Sequence, residues 1–197
     1  MNKNILIISI FILTSNLNLC FGQQQEFNTQ RHTLDKRLMT GLGSWAGLNI
    51  LSSGVAWAMS DNQSNKAFHQ MNVFWNTVNL GLAIPGYIIA KKGKTKLSIL
   101  ETIEEQRKTE SVFLINAGVD LAYISSGILL RNREEQNIDK KSQFIGFGNS
   151  IILQGGFLLV FDWIAFAIHR KHARQNLNPL LKKIEPSAQG IGFILHL

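Results

Sequence analysis

SQFIGFGNSIILQGGFLLVFDWIAFAI, residues 142–168, holds no Lys, Arg, Glu or His, yet carries one acid, Asp162, and the amides Asn149 and Gln154. A helix this long and this apolar belongs in a bilayer, which about 20 residues suffice to span. The acid then sets a second condition. A charged side chain at membrane depth costs about 2.5–3.5 kcal/mol on insertion scales, so it is expected to face protein or a wet cavity rather than lipid. The stretch therefore predicts a membrane bundle with a polar seam.

Three further runs free of Lys and Arg repeat the pattern, at residues 39–59, 67–90 and 111–130. At 100° per residue, Asn72, Asn76 and Asn79 of the second run fall within about 60° of one another, as do Asn116, Asp120 and Tyr123 of the third. Such stripes are too polar for a lipid-facing surface and point inward. In the first run, Trp45, Asn49, Ser52 and Ser53 gather on one side and Gly43, Gly47 and Gly54 on the other. The Gly43-x-x-x-Gly47 spacing suits close helix packing, either within the bundle or against a second copy of the chain. Pro85-Gly86 is expected to kink the distal third of the second span, because proline removes a backbone hydrogen bond.

Length and composition agree with this once their distribution is considered. The chain has 197 residues, one domain's worth, and 45% of them are hydrophobic. A mean hydropathy near zero resembles that of a soluble protein. The average conceals segregation, because all 20 Lys and Arg lie outside the four runs. Basic segments flanking apolar spans have lipid headgroups as their natural anionic neighbour. Nucleic acid is not an expected partner, since no basic helix or base-stacking motif is present. The one cysteine, Cys20, excludes an internal disulfide or a Cys-ligated metal cluster.

The remaining segments divide as follows. Residues 1–22 open with Lys3, continue through an apolar run and end Cys20-Phe21-Gly22, which predicts a secretory signal peptide cleaved after Gly22. An uncleaved first span is the alternative, and Leu19 is too large for lipidation at Cys20. Residues 23–38 read as a polar juxtamembrane helix with an exposed His32. Residues 91–110 read as a solvated charged connector, although Leu97, Leu100 and Ile103 would also suit an amphipathic helix. Residues 169–197 form a basic tail whose last part, 186–197, is compatible with a small strand, a membrane-surface segment or disorder. The expected fold is all-α: a four-helix transmembrane bundle behind a signal peptide. Ser52-Ser53-Gly54 recurs as Ser125-Ser126-Gly127, and the same shift carries Phe74 onto Phe147 and Asn76 onto Asn149, so the two hairpins read as a duplication.

The run Asn116-Ala-Gly-Val-Asp120-Leu-Ala-Tyr123, with Gly127, Gly146-Phe-Gly148, Gln154-Gly155-Gly156-Phe157-Leu158 and Phe161-Asp162, resembles an uncharacterised bacterial family of four-span membrane proteins of unknown function. Met71-Asn72 and Trp75-Asn76 resemble that family's second span. The resemblance covers most of the chain beyond the signal, and implies a multi-pass protein of the bacterial cytoplasmic membrane with no activity attached.

Orientation is pulled two ways. A signal peptide places Gln23 and the C-terminus outside, on the side that carries fourteen basic residues against five opposite. The positive-inside rule points the other way, and the first segment is expected to dominate.

Function divides into three readings. In the first, Asn49, Asn72, Asn76, Asn79, Asn116, Asp120, Tyr123, Asn149, Gln154 and Asp162 form an interhelical network in a structural or accessory protein. In the second, the same seam lines a cavity for an ion, a proton or a small ligand, with Asp120 and Asp162 titrating. In the third the chain is an enzyme or haem protein. This third reading is disfavoured because His69 and His169 fall at opposite ends of their parallel helices, and no HExxH, phosphate loop or nucleophile motif occurs. No catalytic residue, metal ligand or cofactor is therefore expected. The expected partners are the lipid bilayer and a second copy of the chain.

Overall fold

A computed structural model describes residues 3–182, 186–187 and 190–191, with side chains from Phe21 to Lys182. Four long helices dominate: α1 Lys3–Met59, α2 Gln63–Lys92, α3 Ile99–Arg131 and α4 Ile138–His172. A π-helical turn, Ala173–Leu177, and a short helix α5, Asn178–Lys182, extend α4. Pro186–Ser187 and Gly190–Ile191 pair as a two-residue antiparallel ladder, the small-strand option for that segment.

The turns are encoded locally. Asn62, Ser98 and Asn137 each accept a hydrogen bond from the backbone three residues on, which satisfies one orphan donor of the helix that follows. Ser98 and Glu101 complete a reciprocal capping box. The chain runs up and down four times, and the packing order differs from the chain order. The inner pair is α2 and α4, which run parallel; α1 packs on α2, α3 packs on α4, and the outer helices scarcely meet.

Glycine sets how closely α4 approaches both neighbours. A Cβ on Gly148 would stand 2.6 Å from the Gly127 carbonyl oxygen of α3, and one on Gly146 would collide with the Ser64 carbonyl of α2. These contacts, with Gly155 against Ile124, are the close packing of the bundle. Gly43 meets Ala83 at an ordinary 3.6 Å, whereas Gly47 and Gly54 have open space around them. The expected packing stripe of α1 is thus used only at Gly43 inside the molecule, because α2 lies against the polar side of α1.

Three helices, α2, α3 and the run from Ile138 to Lys182, are long and apolar enough to cross a membrane. The distribution of side chains matches. Leu51, Phe74, Leu82, Ile115, Leu129 and Val160 are exposed, while Asn28, Asn76, Thr102, Ser150, Gln154 and His169 are fully buried. Such an exposed apolar surface needs an apolar neighbour.

Several expected boundaries shift. α1 is one proline-free helix across 22/23 and 38/39, so neither expected boundary breaks the backbone. Residues 99–110 are the first three turns of α3, with Thr102, Gln106 and Glu110 buried, and only 93–98 is loop. The capping box and the packing of Ile103 against Phe27, Ala173 and Leu177 outweigh the charges there, while Leu100 is exposed. α2 stays helical through Pro85 to Lys92. The beginning of the basic tail is helical and packed: it continues α4, and Ala173 and Leu177 pack with Phe27 of α1. Both hairpins are antiparallel, yet Gly54 is open where its counterpart Gly127 is tightly packed, and the surroundings of the matched words differ.

Candidate functional site

The polar seam resolves into two groups with different geometry. The first is a closed amide network. Gln154 of α4 is fully buried, donates to Asn72 Oδ1 and accepts from Trp45 Nε1 at 3.2 Å. Asn72 Nδ2 in turn lies 3.0 Å from Asn49 Oδ1 and 2.7 Å from Ser53 Oγ. Asn76 and Asn79 continue the chain of amides along α2. One continuous set of side chains therefore ties α1, α2 and α4 together. Asn49, Asn72, Asn76, Asn79 and Gln154 were legible as a stripe; Trp45 and Ser53 belong with them, and both lie on the polar side of the α1 wheel.

The second group is a carboxyl pair. Asp120 of α3 and Asp162 of α4 are both buried, line the same cavity and lie close enough to interact, and Asp120 Oδ2 has no hydrogen-bond partner. They form the floor of a cavity of about 330 Å³. Met39 and Leu42 of α1, Leu158 and Phe161 of α4, and the Trp75–Tyr123 edge contact between α2 and α3 help to enclose it. Its rim is exposed and mostly apolar, formed by Val78, Leu82, Val112 and Val119 together with Asn116 and Tyr123. The opening thus lies part-way along α2 and α3, at the level where lipid would lie, rather than at a helix end. Asn79 joins the two groups, since it bonds Asn76 and also lines the cavity. Asn116 and Tyr123 are exposed at the rim, and Asn149 is half-buried and belongs to neither group. The single network expected for all ten residues is therefore corrected to two, because α3 contacts α4 but not the amide face of α2.

A third polar cluster lies beyond the spans, where α1, α3 and α4 meet, and sequence reasoning missed it. Asn28 Nδ2 and Gln24 Nε2 both donate to Thr102 Oγ1, at 2.9 and 3.1 Å. Arg31 is buried and lies 3.6 Å from Glu105. His169 is fully buried, 3.1 Å from Asp35 through Nε2, and stacks on Phe113. His32 lies 3.8 Å from the same carboxylate and 3.1 Å from the Lys94 carbonyl, so it is half-buried rather than solvated. His172 stacks on Phe27 and bonds its carbonyl at 3.2 Å. Burial holds the His172 imidazole below its ordinary value, with the Phe27 bond opposing and the charges of His169 and Arg31 adding to the fall. Gln24, Asn28, Arg31 and Asp35 recur at helical spacing, and that was the available signal. Among the described residues no group of three His, Cys, Asp or Glu side chains can hold a metal ion.

No curated protein and no solved structure matches the chain. A family model does match, over residues 41–163, which contain the amide network, the carboxyl pair and all of the cavity's lining but Met39. That stretch is more than half of the chain, and the chain belongs to DUF6992, a family of unknown function.

Proposed function

We propose that this is a four-span protein of a bacterial cytoplasmic membrane that binds, without catalysis, a small lipid-soluble molecule bearing a cationic or hydrogen-bond-donating group. The observation that carries the reading is the Asp120–Asp162 pair at the floor of a cavity with a mostly apolar rim and, among the described residues, no Lys, Arg or His in its lining. Two buried acids without a basic partner are complemented by a positive charge or a donor. The exposed rim gives such a molecule a way in from the acyl-chain region. In this reading the amide network is structural: it holds α1, α2 and α4 in register so that the acids stay aligned. Residues 39–59 act as the fourth span, because Asn49 and Ser53 are tied to α2 at depth. Residues 1–22 act as the signal. Gly47 and Gly54 are open for contact with a second copy.

The test is chemical modification in lipid vesicles. Dicyclohexylcarbodiimide, which partitions into bilayers, should modify Asp120 or Asp162, and a water-soluble carbodiimide should not. A long-chain alkylamine should slow the labelling, and the Asp120→Asn, Asp162→Asn double variant should abolish it. A folded protein that resists the lipid-soluble reagent, or labelling that the amine leaves unchanged, overturns the reading.

A further inference from the structure

The cavity has a neighbour. A groove of about 270 Å³ runs beside the third polar cluster, lined by Arg31, His32, Asp35 and Lys108, and it shares Met39, Val112 and Phe113 with the lateral cavity. The two spaces are thus consecutive along the same crevice between α2 and α3. Spacing along the helices reinforces this. Asp162 and His169 are seven residues apart on α4, as are Phe113 and Asp120 on α3. Seven residues are two turns, so each pair shares a helix face about 10 Å apart.

At the outer end, one carboxylate, Asp35, bridges two imidazoles: His32, half-buried beside the groove, and His169, wholly enclosed. Apart from Asp35, the ring nitrogens of His169 have no partner. Neighbouring ring His172, by contrast, has both nitrogens engaged, by the Phe27 carbonyl and Asn176. A fully buried ring held by one carboxylate, with a nitrogen left over, is suited to passing a proton rather than to holding the fold. Ala165 lies between Asp162 and His169 on α4 and packs with Phe113 and Met39, which line both spaces, and Phe113 stacks on His169. Met39 is an adaptable side chain, and it lies where a Cβ on Gly86 would fall, 2.6 Å from its sulfur.

We infer that His32, Asp35 and His169 form a proton route from the membrane surface to the Asp120–Asp162 pair, gated by Met39 and Phe113. The inference rests on the ligand-binding reading above and gives it a control: a pair that has taken up a proton no longer attracts a cationic guest. The step balances simply. A proton entering at His32 passes through Asp35 to His169, whose ring releases one proton to water admitted past Met39, and the Asp162 carboxylate accepts it. The charged groups facing the route are Arg31 on α1, Glu105, Lys108 and Glu110 on α3, and Arg170 and His172 on α4; α2 contributes none of them. The deeper end faces the two acids, Asn79, Asn116 and the Tyr123 hydroxyl.

The experiment is a pH jump on the full chain in nanodiscs, followed through the carboxylic C=O infrared band that Asp120→Asn and Asp162→Asn remove. His169→Gln and Asp35→Asn should slow its appearance at least tenfold without changing its final amplitude. His32→Gln, at the half-buried mouth where folding is least at risk, should slow it severalfold. Gly86→Ala should slow it by pushing Met39 into the crevice, while His69→Gln, at the opposite end, should leave it unchanged. Equal rates in the wild type and all four route variants overturn the inference, as does slowing by His69→Gln alone. Carbodiimide labelling that persists with unaltered uptake rates removes the route and leaves the ligand-binding reading standing.

Discussion

Gln154 has both ends of its amide engaged, one by Trp45 and one by Asn72, and it has no exposure at all. Replacing it with Leu removes two hydrogen bonds, leaves the part-buried Trp45 N–H without its partner and leaves Asn72 Oδ1 only the long 3.5 Å contact with Asn76 Nδ2. Interhelical bonds in membrane proteins average about 0.6 kcal/mol, but orphaned groups add to the loss. Gln154→Leu should therefore lower stability by about 1–2 kcal/mol, read from unfolding in mixed micelles. His172 makes a pH-dependent contribution. Its folded-state value lies below the ordinary 6.5, so the unfolded chain takes up the proton first as pH falls. Its contribution is complete above pH 6.5 and declines below it. The thermal midpoint in detergent should fall over that window, and His172→Gln should flatten the slope.

At the scale of elements, α4 is the helix around which the others are placed, and its glycines decide the spacing. Gly148→Ala drives a methyl into the Gly127 carbonyl, a backbone atom that yields only if α3 moves. Overpacking of this kind costs about 1–3 kcal/mol, so the variant should unfold at distinctly lower denaturant or temperature. Gly47→Ala meets no neighbour within 4 Å and should leave the unfolding midpoint of the monomer unchanged or slightly raised. If Gly47 also packs against a second copy, as proposed, the variant should shift the monomer–dimer balance measured by light scattering. The same logic separates the two polar groups. α2 presents its amides to α1 and α4 and so builds a network, while the acid on α3 can reach only α4.

For the whole molecule, the up-and-down path places 60–62 and 132–137 at one end and 93–98 at the other, with the third polar cluster. Single cysteines at Ser60 and Asn132, introduced into a Cys20→Ser chain, should react with an impermeant maleimide from one side of sealed vesicles. One at Thr95 should react only from the other. Reaction of all three from the same side would break the proposed topology. The distribution of polarity supports the path, because apolar side chains cover the outside of the bundle and amides fill its interior.

What the sequence determined by itself was the class of fold and the inward face of α2, where Asn72, Asn76 and Asn79 are buried; Asn116 and Tyr123, read as inward, are exposed. Long runs without Lys or Arg have few homes but a bilayer, and the amide and acid stripes repeat at helical period, so both signals are local and survive without tertiary knowledge. The helix starts after Asn62, Ser98 and Asn137 are fixed by capping between near neighbours, but the apolar runs at 67, 111 and 142 begin later than the helices, so the runs alone make the spans too short at that end. Only the tertiary structure decided which polar residues meet. The packing order α1, α2, α4, α3 separates Asp120 from the amides and opens a cavity over it, and helix order in a bundle is set by side-chain fit between segments far apart in sequence. The same holds for His169, Asp35 and Arg31. Each is an ordinary charged or polar residue beside an apolar run; His169 and Arg31 are buried, and Asp35 partly so, only because α1 and α3 continue past the spans and close over the end of α4.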